Sequence, residues 1–340
     1  MKRVMVALFV LLALAATAVA RHDDGTLGLI VRPHNGLPAL CTNGGAFEVT
    51  AQEQAALSLV DAQGRTTPLE PDWTQRPGAP WRATVPVPAR MAPGVYALQA
   101  VHDAGRDQNG RAVYVFDAMP ETYAIAHLTD THIGSSRHPR TAAAIMRDLA
   151  AAINASAAAF AVITGDVTDQ GTPAQFRMFL ELLDTCTLPT FVLPGNHDRN
   201  ALHYERFFGP VTYHFRFGAD GYLAFDTKDY FMADEMGPQD GALQRYRRDL
   251  KAVRWCVGLT HRYVQMMGMR SQLTLFADNP LDALLFGHYH DGEPPPHAQS
   301  PWDSTRMVAT PAAVDGYVRY VDVAARGIQP RQPERPAPIE

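Results

Sequence analysis

Aspartate, histidine and asparagine recur in five short clusters. These are Asp130-Thr131-His132, Gly165-Asp166-Val167-Thr168-Asp169, Gly195-Asn196-His197-Asp198, Thr260-His261 and Gly287-His288-Tyr289-His290. Imidazole and carboxylate together suit zinc, manganese or iron, whereas magnesium or calcium alone would not need so many histidines. Two ions about 3.5–4 Å apart need one carboxylate that both can share. None of the clusters contains cysteine, which excludes a thiolate zinc site. Gly165, Gly195 and Gly287 allow sharp turns that bring backbone close to the ligand types.

Each cluster directly follows an apolar stretch that reads as a strand: Tyr123 to Leu128, Ala159 to Thr164, Thr190 to Leu193, Trp255 to Leu259 and Ala283 to Phe286. In open α/β sheets the ligand site lies beyond the carboxyl ends of the strands, so all five clusters are expected to meet at one sheet edge. Helical patterns alternate with these strands, the mark of an α/β layered domain. Pro139 opens one, with Ala142, Ile145, Met146, Leu149 and Ala152 on one face, and Pro173 to Leu183 forms the next. Val211 to Phe217 and Tyr222 to Phe225 read as a hairpin turning through Gly218 to Gly221. Gln239 to Val253 reads as helix and Arg262 to Phe276 as a weaker one. Arg306 to Ala309 and Tyr317 to Val323 complete the strands.

The clusters resemble the signature of the calcineurin-like metallophosphoesterase family, D-x-H, G-D-x-x-D, G-N-H-D, H and G-H-x-H, in that order from Asp130 to His290. The resemblance implies a layered core, a β-sandwich flanked by helices, with two divalent metal ions (Mn, Fe or Zn) at the strand ends. By that resemblance Asp130, His132 and His290 hold the first metal, Asn196, His261 and His288 the second, and Asp166 bridges both. His197 stands over the phosphate and protonates the leaving oxygen, with Asp169 orienting it. A metal-bridging hydroxide attacks phosphorus in line. Purple acid phosphatases, a related group, have Tyr where Asp169 stands, which sets this chain apart from them. The run Asn196 to Arg199 is similar to one in the phosphodiesterase branch, including cyclic-nucleotide and glycerophosphodiester enzymes. For Arg199 a contact with substrate phosphate and a solvated loop position both fit, and His203 and Tyr204 are candidates to line the pocket. His127 reads as a satisfied core histidine; His22, His34, His102, His138 and His297 have no partner pattern. Met266, Met267 and Met269 read as core filler.

Upstream, residues 21–118 read as short strands separated by turn residues, an all-β, immunoglobulin-like sandwich with Trp73 and Trp81 in its core. Residues 119–325 form the catalytic domain and residues 326–340 a disordered tail. The 46% hydrophobic and 19% charged composition over 340 residues is that of a folded chain with room for two cores. Lys2, Arg3, the apolar run Val4 to Ala16 and the small-x-small site Ala18-Val19-Ala20 make residues 1–20 a cleavable export signal, so the expected location is periplasmic or secreted. The apolar run is shorter than the roughly 20 residues that span a bilayer. Loss of Lys2 and Arg3 takes the net charge from −5 to −7, which disfavours duplex nucleic acid as a partner. The expected substrates are small-molecule or lipid and envelope phosphoesters, phosphodiesters or phosphomonoesters. A competing reading is a non-catalytic, metal-stabilised module whose sandwich domain binds a surface partner. For Cys186 and Cys256 a bridge and a pair of buried thiols are both compatible with export.

Overall fold

The computed structural model describes residues 24–103, 105–226, 240–263, 273–277, 279–296 and 304–338. Residues 1–20, expected to be an export signal, and His22, His297, Met266, Met267 and Met269 lie outside the described residues. The chain divides into two compact units, the second beginning at Met119.

In the first unit, strands alternate side chains between core and solvent. They are β1 (Ile30–Arg32), β2 (Ala39–Thr42), β3 (Ala46–Ala51), β4 (Ala56–Val60), β5 (Thr66–Pro68), β6 (Asp72–Thr74), β7 (Trp81–Pro86), β8 (Gly94–His102) and β9 (Gly105–Phe116). They form two sheets, β1-β3-β7-β6 and β2-β9-β8-β4-β5. Phe47, Val49 and Val85 of one sheet and Leu57, Leu59 and Leu98 of the other share one core, the outcome that period-two alternation dictates. Trp73 and Trp81 are only half-buried, because they sit on short outer strands and at a strand start.

The second unit carries the clusters. One sheet has the order β12 (Thr190–Leu193), β11 (Ala158–Thr164), β10 (Tyr123–Leu128), β18 (Arg319–Ala324), β19 (Gly327–Pro330). The other runs β13 (Tyr213–Phe217), β14 (Asp220–Ala224), β15 (Cys256–Leu259), β16 (Ala283–Phe286), β17 (Arg306–Ala309). Strands β10, β11 and β12 are parallel, as are β14 to β17. Alternation along the first sheet sends Ala126, Leu128, Ala161 and Ile163 toward helices α1 (Ala142–Asn154) and α2 (Pro173–Leu183). The opposite face supplies Phe160, whose ring meets Phe191, Phe215, Phe217 and Tyr222 at 5.2–5.9 Å and so joins the two sheets. Short α3 (His203–Phe208) adds Tyr204 and Phe207 to the first helical layer, while α4 (Asp240–Asp249) covers the second sheet through Leu243. The result is the expected β-sandwich flanked by helices.

Several expectations need correction. Helix α1 starts after Thr141, whose hydroxyl accepts from the Ala144 N–H, rather than at Pro139. The turn before β14 is shorter, since Asp220 already pairs with Phe217. Of the weak helix from Arg262, the described part is a π-helical turn, Leu273–Ala277. The segment expected as a disordered tail is ordered at its start. The open edge of β18 pairs with β19, Arg331 grips Asp322 with two hydrogen bonds, and Glu334 pairs with Val318. Cys41, Cys186 and Cys256 are all buried free thiols. Among the described residues no helix is long and apolar enough to cross a membrane.

Candidate metal centre

The five clusters meet, but at the ends of two sheets rather than along one edge. Asp130, His132, Asp166, Asn196 and His197 follow the adjacent parallel strands β10, β11 and β12, and His261, His288 and His290 follow β15 and β16. The parallel ladder continues past the strands. The N–H groups of Asp130, His132 and Ile133 donate to the carbonyls of Gly165, Asp166 and Val167, so the first two clusters travel side by side. In the other sheet the ladder likewise runs on past β15 and β16, where the Gly287 N–H donates to the His261 carbonyl at 2.9 Å. A Cβ at Gly165, where φ is +89°, would lie 2.7 Å from both Gly195 N and His261 Cβ, so only glycine lets the two sheets' loops touch here.

Asp130, His132, Asp166 and His288 have φ of 55°, 42°, 48° and 70°, a left-handed conformation unusual for such residues. That strain sits on candidate metal-binding residues, and the surrounding structure holds it in place.

Ligand-type atoms of Asp130, His132 and His290 lie within 4.8 Å of one another, as do those of His132, Asp166 and His197, and those of Asp166, His261 and His288. His290 Nε2 is 3.4 Å from Asp130 Oδ1 and 3.3 Å from His132 Nε2. Asp166 Oδ2 lies 3.2 Å from His261 Nε2 and 3.8 Å from His132 Nε2, between the two outer groups. Asn196 is exposed, and the N–H of the next residue, His197, donates to Asp166 Oδ1 at 2.8 Å.

The surrounding hydrogen bonds aim these atoms. Asp130 Oδ2 accepts from the Thr129 hydroxyl at 2.7 Å and the His288 N–H at 2.9 Å, while buried Oδ1 has no hydrogen-bond partner among the described residues. His261 Nδ1 donates to the Thr164 carbonyl at 2.8 Å, which leaves Nε2, also without a hydrogen-bond partner, toward Asp166. A buried acceptor without a donor is costly, and an aimed lone pair beside a carboxylate is what a cation site requires.

Electrostatics agree. Burial opposes ionisation of Asp130, but the His261 charge, the nearby His132 and His290 imidazoles and the Thr129 hydroxyl hold it well below the usual carboxylate range. Burial opposes protonation of His261, yet Asp166 and Asp130 outweigh it and raise its pKa to about 9. The interior therefore rewards positive charge. His288 differs: burial, with the charges of His261 and Arg262, lowers it to about 4.

Expectations change at His197 and Asp169, the pair expected to be catalytic, and at the arginine beyond them. His197 is exposed, with its ring 4.7 Å from that of His132, but its Nδ1 donates to the Asp169 main-chain carbonyl at 2.7 Å, not to the carboxylate. The Asp169 carboxylate lies 3.6 Å from His132 Nδ1 instead. The Asp169 backbone is tied to the Ile133 carbonyl, which turns its own carbonyl toward His197. Arg199 is neither a phosphate contact nor solvated: its largely buried side chain pairs with Glu205 and Asp226. His203 is half-buried and donates to the Gly171 carbonyl, whereas Tyr204 is buried core rather than a pocket wall.

The sequence reading gave no role to Asp198, which accepts from the N–H groups of Val167, Thr168 and Gly195 and from the Thr168 hydroxyl, all at 2.7–3.0 Å. Burial, then the Asp166 charge, raise its pKa to about 6. The final Asp of G-N-H-D was the available signal. It ties the second cluster to the third.

A β-sandwich flanked by helices, with aspartate and histidine converging beyond its strand ends, defines a metallophosphoesterase class of protein. The family described as calcineurin-like phosphoesterase matches residues 123–292, half of the chain, and the chain belongs to that family. Among curated proteins it is similar to a probable glycerophosphodiester phosphodiesterase GpdQ of Arcobacter nitrofigilis, 43% identical over 69 residues, or 20% of this chain and 24% of that protein. The match thus spans about a quarter of the curated relative's length. Among solved structures it is similar to a purple acid phosphatase from yellow lupin (Lupinus luteus) seeds, with TM-score 0.51 and 10% identity over 82% of this chain and 67% of that one. This last likeness concerns the fold alone.

Proposed function

We propose that this chain is an exported, periplasmic or secreted, binuclear-metal phosphoesterase acting on phosphodiesters or phosphomonoesters of small molecules, lipid head groups or envelope components. The observation that carries the reading is a pair of buried atoms without a hydrogen-bond partner among the described residues, Asp130 Oδ1 and His261 Nε2, which face His290 and Asp166 at 3.4 and 3.2 Å. Asp130, His132 and His290 would hold one ion, Asn196, His261 and His288 the other, and Asp166 both, with manganese, iron or zinc suiting the donors. Bound ions would activate water and neutralise charge on the phosphoryl group. The side chains do the rest. Thr129 and the His288 N–H fix the Asp130 carboxylate, and the Thr164 carbonyl fixes the His261 tautomer. With Nδ1 donating to the Asp169 carbonyl, His197 would act as the imidazolium, its second proton on Nε2 donated toward the phosphoryl group and passed to the leaving oxygen, which leaves the ring neutral. The export signal and the net negative charge support scavenged or envelope esters over duplex nucleic acid.

The test is a phosphate-release screen of protein loaded with Mn²⁺ or Zn²⁺ across aryl monoesters and diesters, nucleotides and phospholipid head groups. Turnover is expected for at least one class. His197→Ala should keep its metal content and lose roughly 10²–10⁴ in rate, the range for a general acid. No turnover of any ester by metal-loaded protein would leave the non-catalytic module as the reading.

A further inference from the structure

We propose that Arg137 is the phosphate-binding arginine of this centre, held in reserve against His290 until cations occupy the site; this rests on the phosphoesterase reading above.

Arg137 lies between β10 and α1, with its side chain about half exposed at 48%. One edge of its guanidinium is anchored, with Nε 3.3 Å from Asp315 Oδ1. Asp315 is itself fixed. His138 Nε2 sits 2.5 Å from the same oxygen, so His138, which has no partner pattern in the sequence, does have a partner. Asp315 also ends the short 3-10 turn Ala313–Asp315, whose Ala313 and Val314 N–H groups donate to the carbonyls of Thr129 and Asp130 at 2.8 and 3.0 Å. The anchor is therefore built into the metal-binding loop.

The other edge of the guanidinium donates through Nη1 to His290 Nδ1 at 2.7 Å. A neutral imidazole has one acceptor nitrogen, and arginine has donors only. His290 can serve Arg137 through Nδ1 or a cation through Nε2, which faces Asp130 and His132, but not both. When Nε2 gives its lone pair to a cation, Nδ1 carries the proton and Arg137 loses its acceptor. Its fork, still tethered to Asp315, then needs another oxygen pair at the rim, and a phosphoryl group fits that planar geometry. Arg199, by contrast, is engaged by Glu205 and Asp226.

The experiment compares wild type, Arg137→Ala and Arg137→Lys as full chains loaded with Mn²⁺. It measures metal content by emission spectrometry, inorganic phosphate binding by calorimetry, and kinetics on the best ester of the screen. Arg137→Ala is expected to keep its metal content and kcat, while KM and the phosphate Kd rise about 10- to 100-fold, the loss for a charged hydrogen-bond pair. Lysine, with charge but no fork, should recover only part of that loss. Unchanged phosphate affinity in Arg137→Ala overturns the proposal, as does reduced metal content with unchanged KM, which would make Arg137 a prop for His290. Calorimetry decides the matter even if the wild type turns over no ester, so the two readings can fail separately.

Discussion

Two buried aspartates, one in each unit, separate holding a fold from aiming a site. Asp107, in extended β9, spends both oxygens on backbone: Oδ2 accepts from the Ile30 N–H and Oδ1 from the Gln108 N–H, both at 2.8 Å. Asp130 spends one oxygen twice and leaves the other idle among histidines. The backbones differ in the same sense. Among the described residues, the left-handed non-glycine of the first unit is Arg111 alone, whereas four of the second unit's belong to the candidate metal centre. A satisfied carboxylate on relaxed backbone reads as structure; an under-satisfied one on strained backbone reads as function.

The same isosteric change should divide the two. In Asp130→Asn the amide oxygen can still face Thr129 and the His288 N–H, leaving an NH₂ where a cation belongs. Turnover should fall by about 10³-fold, the worth of several kcal/mol of lost charge stabilisation. Retained turnover would remove Asp130 from the centre. Next in size is Thr129→Val, which removes one of the two donors that fix Oδ2 and should weaken metal affinity by about 10- to 100-fold in a direct titration. Asp107→Asn must set an NH₂ against a backbone N–H, so denaturant unfolding should show a loss of about 1–3 kcal/mol with turnover per folded molecule unchanged. A drop in turnover as large as that of Asp130→Asn would erase the distinction.

Much of this contrast was legible in the residues. The ligand types and their places after strands were readable because metal chemistry restricts both residue type and spacing, and the strands carried clear apolar runs. What escaped was set by backbone paths. Whether Asp169 meets His197 through its carboxylate or its carbonyl depends on the ladder that ties Asp169 N–H to Ile133, which no side chain reports. Arg199 was misplaced because its partner Asp226 lies 27 positions away, across the sandwich. The ordering of Gly327–Pro330 depends on an open edge of β18, invisible in a proline-rich composition.

A buried histidine pair sharpens the comparison inside the second unit, with the smallest effect. Thr164 serves both rings, through its hydroxyl to His127 Nε2 and its carbonyl to His261 Nδ1, each at 2.8 Å. His127 also has Thr310 on Nδ1, so both its nitrogens are used, whereas His261 keeps one idle. Burial, reinforced by Arg319 and opposed by Asp130, lowers the His127 pKa from 6.5 to about 3. Above pH 6.5 the ring is neutral folded and unfolded, and it contributes no pH dependence. As the pH falls from 6.5 toward 3, the unfolded chain takes up a proton that the folded one refuses, so stability should fall by about 1.4 kcal/mol per unit from this residue. His261, with its pKa raised to about 9, contributes the opposite sign, stability lost as pH rises through that value, so the wild-type curve alone mixes the two. Denaturant unfolding of wild type and His127→Gln between pH 7 and pH 4 separates them, each as metal-free protein. The variant is less stable throughout, but its slope should be smaller by close to one proton. Parallel slopes would mean that His127 is charged in the fold and belongs with the site rather than with the core.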